Sequence, residues 1–185
     1  MTVAAFYPPT QKLLPPLPDP VTWWDVFQEN RDMDMPRQVR DWTCSACSID
    51  WVLRATGVYP GCTREWVVGE LGYNEYCGPG VGISSSAGLC NSQAAIRLLE
   101  RFFGEGNVVQ EWLNFDRAYE IATQTTGLLN STAWYHYVAL RGVIGNKIWI
   151  ANSAPNYPSW NPIRNEMGRI EFERFNSFQA IWIRR

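Results

Sequence analysis

The sequence predicts an α+β fold, with a helical N-terminal half packed on a mainly antiparallel sheet. Two observations carry this. Apolar residues recur at helical spacing through the first two thirds of the chain, as in 43–55 and 92–104. From residue 127 onward short β-prone runs dominate: GLLNS, YHYVALRGV, KIWIANS, GRIEFERF and FQAIWIRR. Helices that come first and strands that come later favour α+β over an alternating parallel architecture.

Taken in order, residues 1–21 form an extended arm. Six prolines between Pro8 and Pro20 exclude helix and central strand and leave polyproline II. The arm reads either as a floppy extension or as a segment docked on its own domain or on a protein partner, and LLPPLPDP also has the look of a ligand for an aromatic groove. Residues 22–185 read as one domain. VTWWDVFQEN is a short helix capped by Thr22 or Asp19. A central helix runs from about Thr43 to Ala55, with Gly57 as its C′ residue. Thr63 caps REWVVGEL. Residues 72–90, rich in Gly and Ser, form a long loop. Asn91 caps SQAAIRLLERFFG, VVQEWL is a strand, and Asn114 or Asp116 opens FDRAYEIATQ.

The 185 residues suffice for a core without disulfide staples, and 46% of them are apolar. Net charge is −2, and no basic run suggests nucleic acid or an anionic membrane. No apolar stretch is long enough to cross a bilayer, and no basic, then apolar, secretory signal opens the chain. The compartment stays open, with a virion and the cytoplasm both compatible. The five cysteines, at 44, 47, 62, 77 and 90, form an odd set. One reactive thiol plus up to two bridges fits, and so do five inert buried thiols. Asp50 and Asp116 show no partner pattern and read as solvated.

Chemistry concentrates in RQVRDWTCSACSIDWVLRATG, residues 37–57. A thiol becomes a good nucleophile when a helix N-terminus or a neighbouring imidazolium lowers its pKa. Cys44 opens the central helix, and His136 is the one histidine in the chain. Attack on an amide creates an oxyanion, for which Gln38 and the Cys44 amide could donate. A three-residue loop Val143-Ile144-Gly145 between YHYVALRGV and KIWIANS pairs His136 directly with Asn152. A two-residue Gly145-Asn146 turn would instead send Asn152 to the opposite face. Trp134, two residues before His136, and Trp42 are candidates to line the site. Cys47 competes with Cys44 as nucleophile, and the six-residue spacing from Gln38 favours Cys44.

These residues resemble papain-like cysteine peptidases. Gln38 followed by Cys44 at a helix start is similar to that family's oxyanion glutamine and nucleophile. CSACSIDWVLRATG resembles the CGPAxLAMVLxYxG stretch of the bacteriocin-processing, double-glycine leader peptidases. HYVALRGV and IANSAP resemble their His-bearing strand and following strand end, and FERFNSFQAIWI resembles their last helix-and-strand segment. Ser45-Ala46 stands where Gly-Pro is usual, and Asn152 precedes Ser-Ala-Pro rather than Pro itself. The resemblance implies a papain-like fold and a Cys44, His136 and Asn152 triad with Gln38 at the oxyanion hole. It implies no cofactor and no metal. The substrate would be a peptide or isopeptide bond, in a protein precursor or a peptidoglycan stem peptide, and a phage-encoded lysis or virion-associated enzyme would suit the absence of a signal.

Two readings compete. The fold could serve as a catalytically silent docking subunit of a larger, virion-like assembly held by the Pro-rich arm. Alternatively Cys44-x-x-Cys47 could be a dithiol oxidoreductase pair, since WTCSAC opens a helix, although the polar residues before it do not form the apolar strand that reading wants. A zinc site lacks a second Cys-x-x-Cys or a His pair.

Overall fold

The computed structural model describes residues 22–37, 43–71, 92–131, 136–154, 165–174 and 178–185. The Pro-rich arm, the Gly/Ser-rich stretch, the Asn91 cap, Gln38, Trp42 and Trp134 lie outside these residues.

Helices α1 (Trp23–Asn30), α2 (Cys44–Ala55), α3 (Arg64–Glu70) and α4 (Ser92–Phe103) come first. Strand β1 (Val108–Leu113) and helix α5 (Phe115–Gln124) follow, then β2 (Gly127–Ser131), β3 (His136–Ile144) and β4 (Lys147–Ala151). The short β5 (Glu166–Met167), helix α6 (Arg169–Arg174) and β6 (Phe178–Ile183) close the chain. The six strands form one sheet in the order β1-β6-β2-β3-β4-β5. Every pairing is antiparallel, as the sequence predicts.

The caps fall where the side chains dictate. Thr22 and Asp25 make a reciprocal capping box at α1, and Thr63 and Asn114 each accept from the first-turn amide three residues on. Helix α2 ends at Thr56, and Gly57 follows at φ +70°, the left-handed C′ residue the sequence predicts.

Helix α2 is buried on all sides except at Arg54, so it behaves as a core element rather than a surface helix. Its Trp51, Val52 and Leu53 pack with Leu128, Tyr137, Ala139, Ala151, Ile181 and Ile183 from one face of the sheet. The other face, with Leu129, Val138, Leu140, Ile148 and Ile150, packs on Ile121 and Ala122 of α5. Many of the tryptophans gather beside α2. Trp24 stacks on Phe27, Phe27 meets Trp51 edge-on, and Trp23 meets Phe103 edge-on.

Several expectations are corrected. GRIEFERF is not a strand. Residues 169–174 form α6, with the Phe172 amide bonded back to Gly168 and Arg169 paired with Glu173 one turn on. The alternation of Ile170 and Phe172 with charged residues mimics a strand, yet Ile170 is 74% exposed and Phe172 alone is buried. The two-residue edge strand β5 carries no pattern long enough to announce itself. Asp50 is not solvated; it is buried and bonded at 2.8 Å to Arg54, one turn further along α2. Asp116 is exposed but pairs with Arg169.

The β3–β4 hairpin also differs. Ile144 pairs with Lys147, so the turn is the two-residue Gly145-Asn146, not the three-residue loop. Left unbroken, that register would put Asn152 across from Ala139, on the face opposite His136. A β-bulge between Leu140 and Gly142 absorbs one residue, Arg141, and beyond it Ala139 pairs with Ala151. The bulge restores His136 and Asn152 to a common face. Gly142 sits at φ +142°, a conformation that L side chains rarely adopt, which suits glycine to this position.

Candidate active site

Cys44 is the first residue of α2, and its sulfur meets the first residues of β3. The Tyr137 amide points at the Cys44 sulfur over 3.5 Å. The Ser45 amide and the His136 side chain also act on it, both favouring its charged form. The sulfur therefore sits at the positive end of a helix, with backbone amides directed at it.

Asn152 lies just past the end of β4 and reaches the imidazole. Its Oδ1 lies 2.8 Å from His136 Nε2 and accepts from the Ala154 amide at 3.0 Å. An amide N–H can only donate, so the Ala154 bond fixes which end of the carboxamide is oxygen. His136 Nε2 must then carry a proton. Nδ1 is left as the ring nitrogen for Cys44, and in the neutral ring it is a bare acceptor. Asn152 thus sets both the tautomer and the plane of the ring.

The electrostatics follow from this contact. Burial alone would push the Cys44 thiol up, but the hydrogen bond and charge of His136, with the Tyr137 and Ser45 amides, hold it below the ordinary range. Burial alone would push His136 down, but the Cys44 hydrogen bond and charge, with the Asn152 bond, raise it above its usual value. Opposite shifts on neighbouring groups favour passage of the thiol proton to the imidazole. All three side chains are enclosed: Cys44 is 0%, His136 5% and Asn152 4% exposed.

Cys47, the rival nucleophile, is a free thiol one turn inward, pushed up to about 12 by burial. A thiol held that high supplies almost no thiolate near neutral pH. Cys62 is also a free thiol, not a bridge partner, and burial and Asp50 push it up to about 12. Cys77 and Cys90 lie outside the described residues.

Of the sequence-derived site residues, the structure brings together Cys44, His136 and Asn152; Gln38, Trp42 and Trp134 fall outside what it describes. The reading missed the amides of Tyr137, Ser45 and Ala154. Backbone donors leave no trace in side-chain identity, so no signal could have found them. Among the described residues, no group of three or more His, Cys, Asp or Glu is arranged to hold a metal ion. No described helix is long and apolar enough to cross a membrane.

No protein-family model matches this sequence, and no curated protein does. Solved structures do match in fold. One is a double glycine motif protease from an AMS/PCAT transporter, in complex with the leader peptide. It is 16% identical, with 80% of this chain and 89% of that one covered, at a TM-score of 0.50. Another is the peptidase domain of Streptococcus ComA, a bi-functional ABC transporter involved in a quorum sensing pathway. It is 12% identical, with 82% and 98% covered, at a TM-score of 0.48. The fold of this chain is that of the papain-like cysteine peptidases, in the form seen in double-glycine motif peptidase domains.

Proposed function

We propose that this protein is a papain-like thiol hydrolase that cleaves a peptide or isopeptide bond. The observation that carries the proposal is the contact of Cys44 with His136 and of His136 with Asn152, together with the opposed pKa shifts of the first two.

The Cys44 thiolate attacks the carbonyl carbon, and the π pair of the carbonyl moves onto oxygen. The Cys44 amide and, on sequence grounds, Gln38 donate to that oxyanion; one such donor is ordinarily worth about 10²–10³ in rate. The intermediate collapses, the C–N bond breaks, and the leaving amine takes the Nδ1 proton of His136. A thioester remains on Cys44. His136 then removes a proton from water, hydroxide adds to the thioester, and the acid departs as the thiolate re-forms. Asn152 holds the ring through both transfers. Trp42 and Trp134 are proposed to line the substrate path.

The related transporter protease was solved in complex with the leader peptide, which supports a peptide as substrate here. A segment of a protein precursor is the first form to test, and the stem peptide of peptidoglycan the second. The dithiol alternative leaves the His136–Asn152 contact without a role.

The test is incubation of the full chain with a diverse peptide library and, separately, with purified cell-wall sacculi, read by mass spectrometry. Cleavage is expected in at least one arm, lost in Cys44→Ala and kept in Cys47→Ala. A covalent adduct on Cys44 is expected with a peptidyl epoxide. Cleavage indifferent to Cys44→Ala, or no cleavage and no adduct, would overturn the proposal.

A further inference from the structure

The bulge residue Arg141 is built into a stack whose purpose the proposed chemistry does not yet explain. Its guanidinium lies 5.2 Å from the Trp51 ring centroid and 5.4 Å from that of Trp149. Arg31 covers Trp149 as well, at 5.9 Å. Arg141 Nη1 donates to the Arg31 carbonyl at 3.0 Å, and Trp51 Nε1 donates to the Met33 carbonyl at 3.0 Å. Asp32 and Asp34 act on Arg141 through charge without a described ion-pair contact, and its Nε is buried without an acceptor. Among the described residues, two aromatic rings and one carbonyl touch this cation, and the Asp32 and Asp34 carboxylates favour it only from further off.

The two rings belong to the two halves of the site. Trp51 stands two turns after Cys44 on α2, fully buried. Trp149 stands three residues before Asn152 on β4, and Arg141 itself is on the strand that begins at His136. Because Arg141 is the extra residue of the bulge, its side chain leaves the ladder beside Trp149 toward α2. A flat guanidinium sandwiched between rings resists sliding in a way that aliphatic contacts do not.

We infer that Arg141 is a positioning residue: stacked between Trp51 and Trp149, it fixes the helix that carries Cys44 against the ribbon that carries His136 and Asn152. The inference rests on the thiolate–imidazolium reading of the site. Loosening the stack lets the helix and ribbon slip, lengthens the Cys44–His136 contact, and weakens the pair while both side chains remain.

The experiment is a thiolate absorbance titration of the full chain. Each variant is measured as a difference against the same variant carrying Cys44→Ala, so that only Cys44 contributes. Arg141→Leu removes the charge and the plane. Arg141→Lys keeps the charge without the plane, and Trp149→Leu removes one plate and leaves Arg141 in place. The wild type is expected to show a Cys44 midpoint below the ordinary thiol range. Arg141→Leu should raise it by about one pH unit, a tenfold change in the ionisation equilibrium. Arg141→Lys and Trp149→Leu should move it the same way by less, which keeps the test decisive if Arg141→Leu does not fold. Thermal melts run alongside. Variants that melt earlier but keep the wild-type midpoint would show a merely structural role and overturn the inference, with the proposed chemistry untouched. A wild-type midpoint in the ordinary thiol range would overturn both.

Discussion

The carboxamide oxygen of Asn152 accepts from the imidazole and from the Ala154 amide, and this pairing decides which ring nitrogen faces the sulfur. Its bond is one of the causes that raise His136, so Asn152→Ala should lower the His136 pKa. Activity needs the imidazolium beside the thiolate, and it falls as pH rises through the His136 pKa. The alkaline limb of kcat/KM should therefore move to lower pH in Asn152→Ala, whereas a role in folding alone would leave it in place. His136→Ala should cost about 10²–10⁴ in kcat/KM, the usual contribution of a placed acid–base group. It should also return Cys44 toward or above the ordinary thiol range, since burial then acts with less opposition. At this scale the sequence was informative. Cys44 at a helix start, a single histidine and a strand-end asparagine are all legible as residue types. What it could not display is the set of backbone amides around the sulfur, or that Asp50, read as solvated, lies buried against Arg54.

Local chain geometry explains both a correct and an incorrect expectation about the hairpin. Turn chemistry suggested a register that paired His136 with Asn152, but the real turn is Gly145-Asn146. Without the bulge it would have separated the two. Bulges are hard to foresee because one extra residue disturbs the alternation only briefly; here Leu140 and Val143, three apart, both pack with the α5 cluster. Helix α6 was missed for a related reason, as a six-residue amphipathic helix with one buried side chain offers too little periodicity to separate it from a strand. The end of α2 was legible because Gly57 has a steric task. At φ +70°, an added Cβ would come within 2.6 Å of Val26 Cγ1. Gly57→Ala should destabilise the fold by about 1–3 kcal/mol, combining left-handed strain with overpacking. Urea denaturation should show a lower midpoint at unchanged slope. Adding Val26→Ala should recover the steric share; additive losses would contradict the contact.

Across the molecule, the site exists where a helix buried except at Arg54 begins against a sheet whose central strands arrive much later in the chain. Both faces of that sheet are covered, by α2 on one side and α5 on the other, so neither the helix nor the β3–β4 ribbon can shift freely. The class of this architecture was readable from the order of helices and strands. The strand order β1-β6-β2-β3-β4-β5 was not, because it depends on the return of the last strand between β1 and β2. The enclosure also sets the pH behaviour. With Cys44 held low and His136 held high, activity should rise as pH climbs through the Cys44 pKa, below the ordinary thiol range. It should fall again above the His136 pKa, giving a bell that a steady-state pH profile would reveal. A profile that keeps rising through the ordinary thiol range would contradict the pair.

Because His136 is the one histidine in the chain, a single imidazole resonance reports on the site without assignment. Its proton NMR titration, in the wild type and in Cys44→Ala, tests the thiolate–imidazolium pair most directly. The predicted result is a wild-type midpoint above the ordinary histidine value of about 6.5, and a fall below that midpoint when the sulfur is removed. A wild-type midpoint at or below the ordinary value, unmoved by Cys44→Ala, would mean that the imidazole and the sulfur do not share a proton.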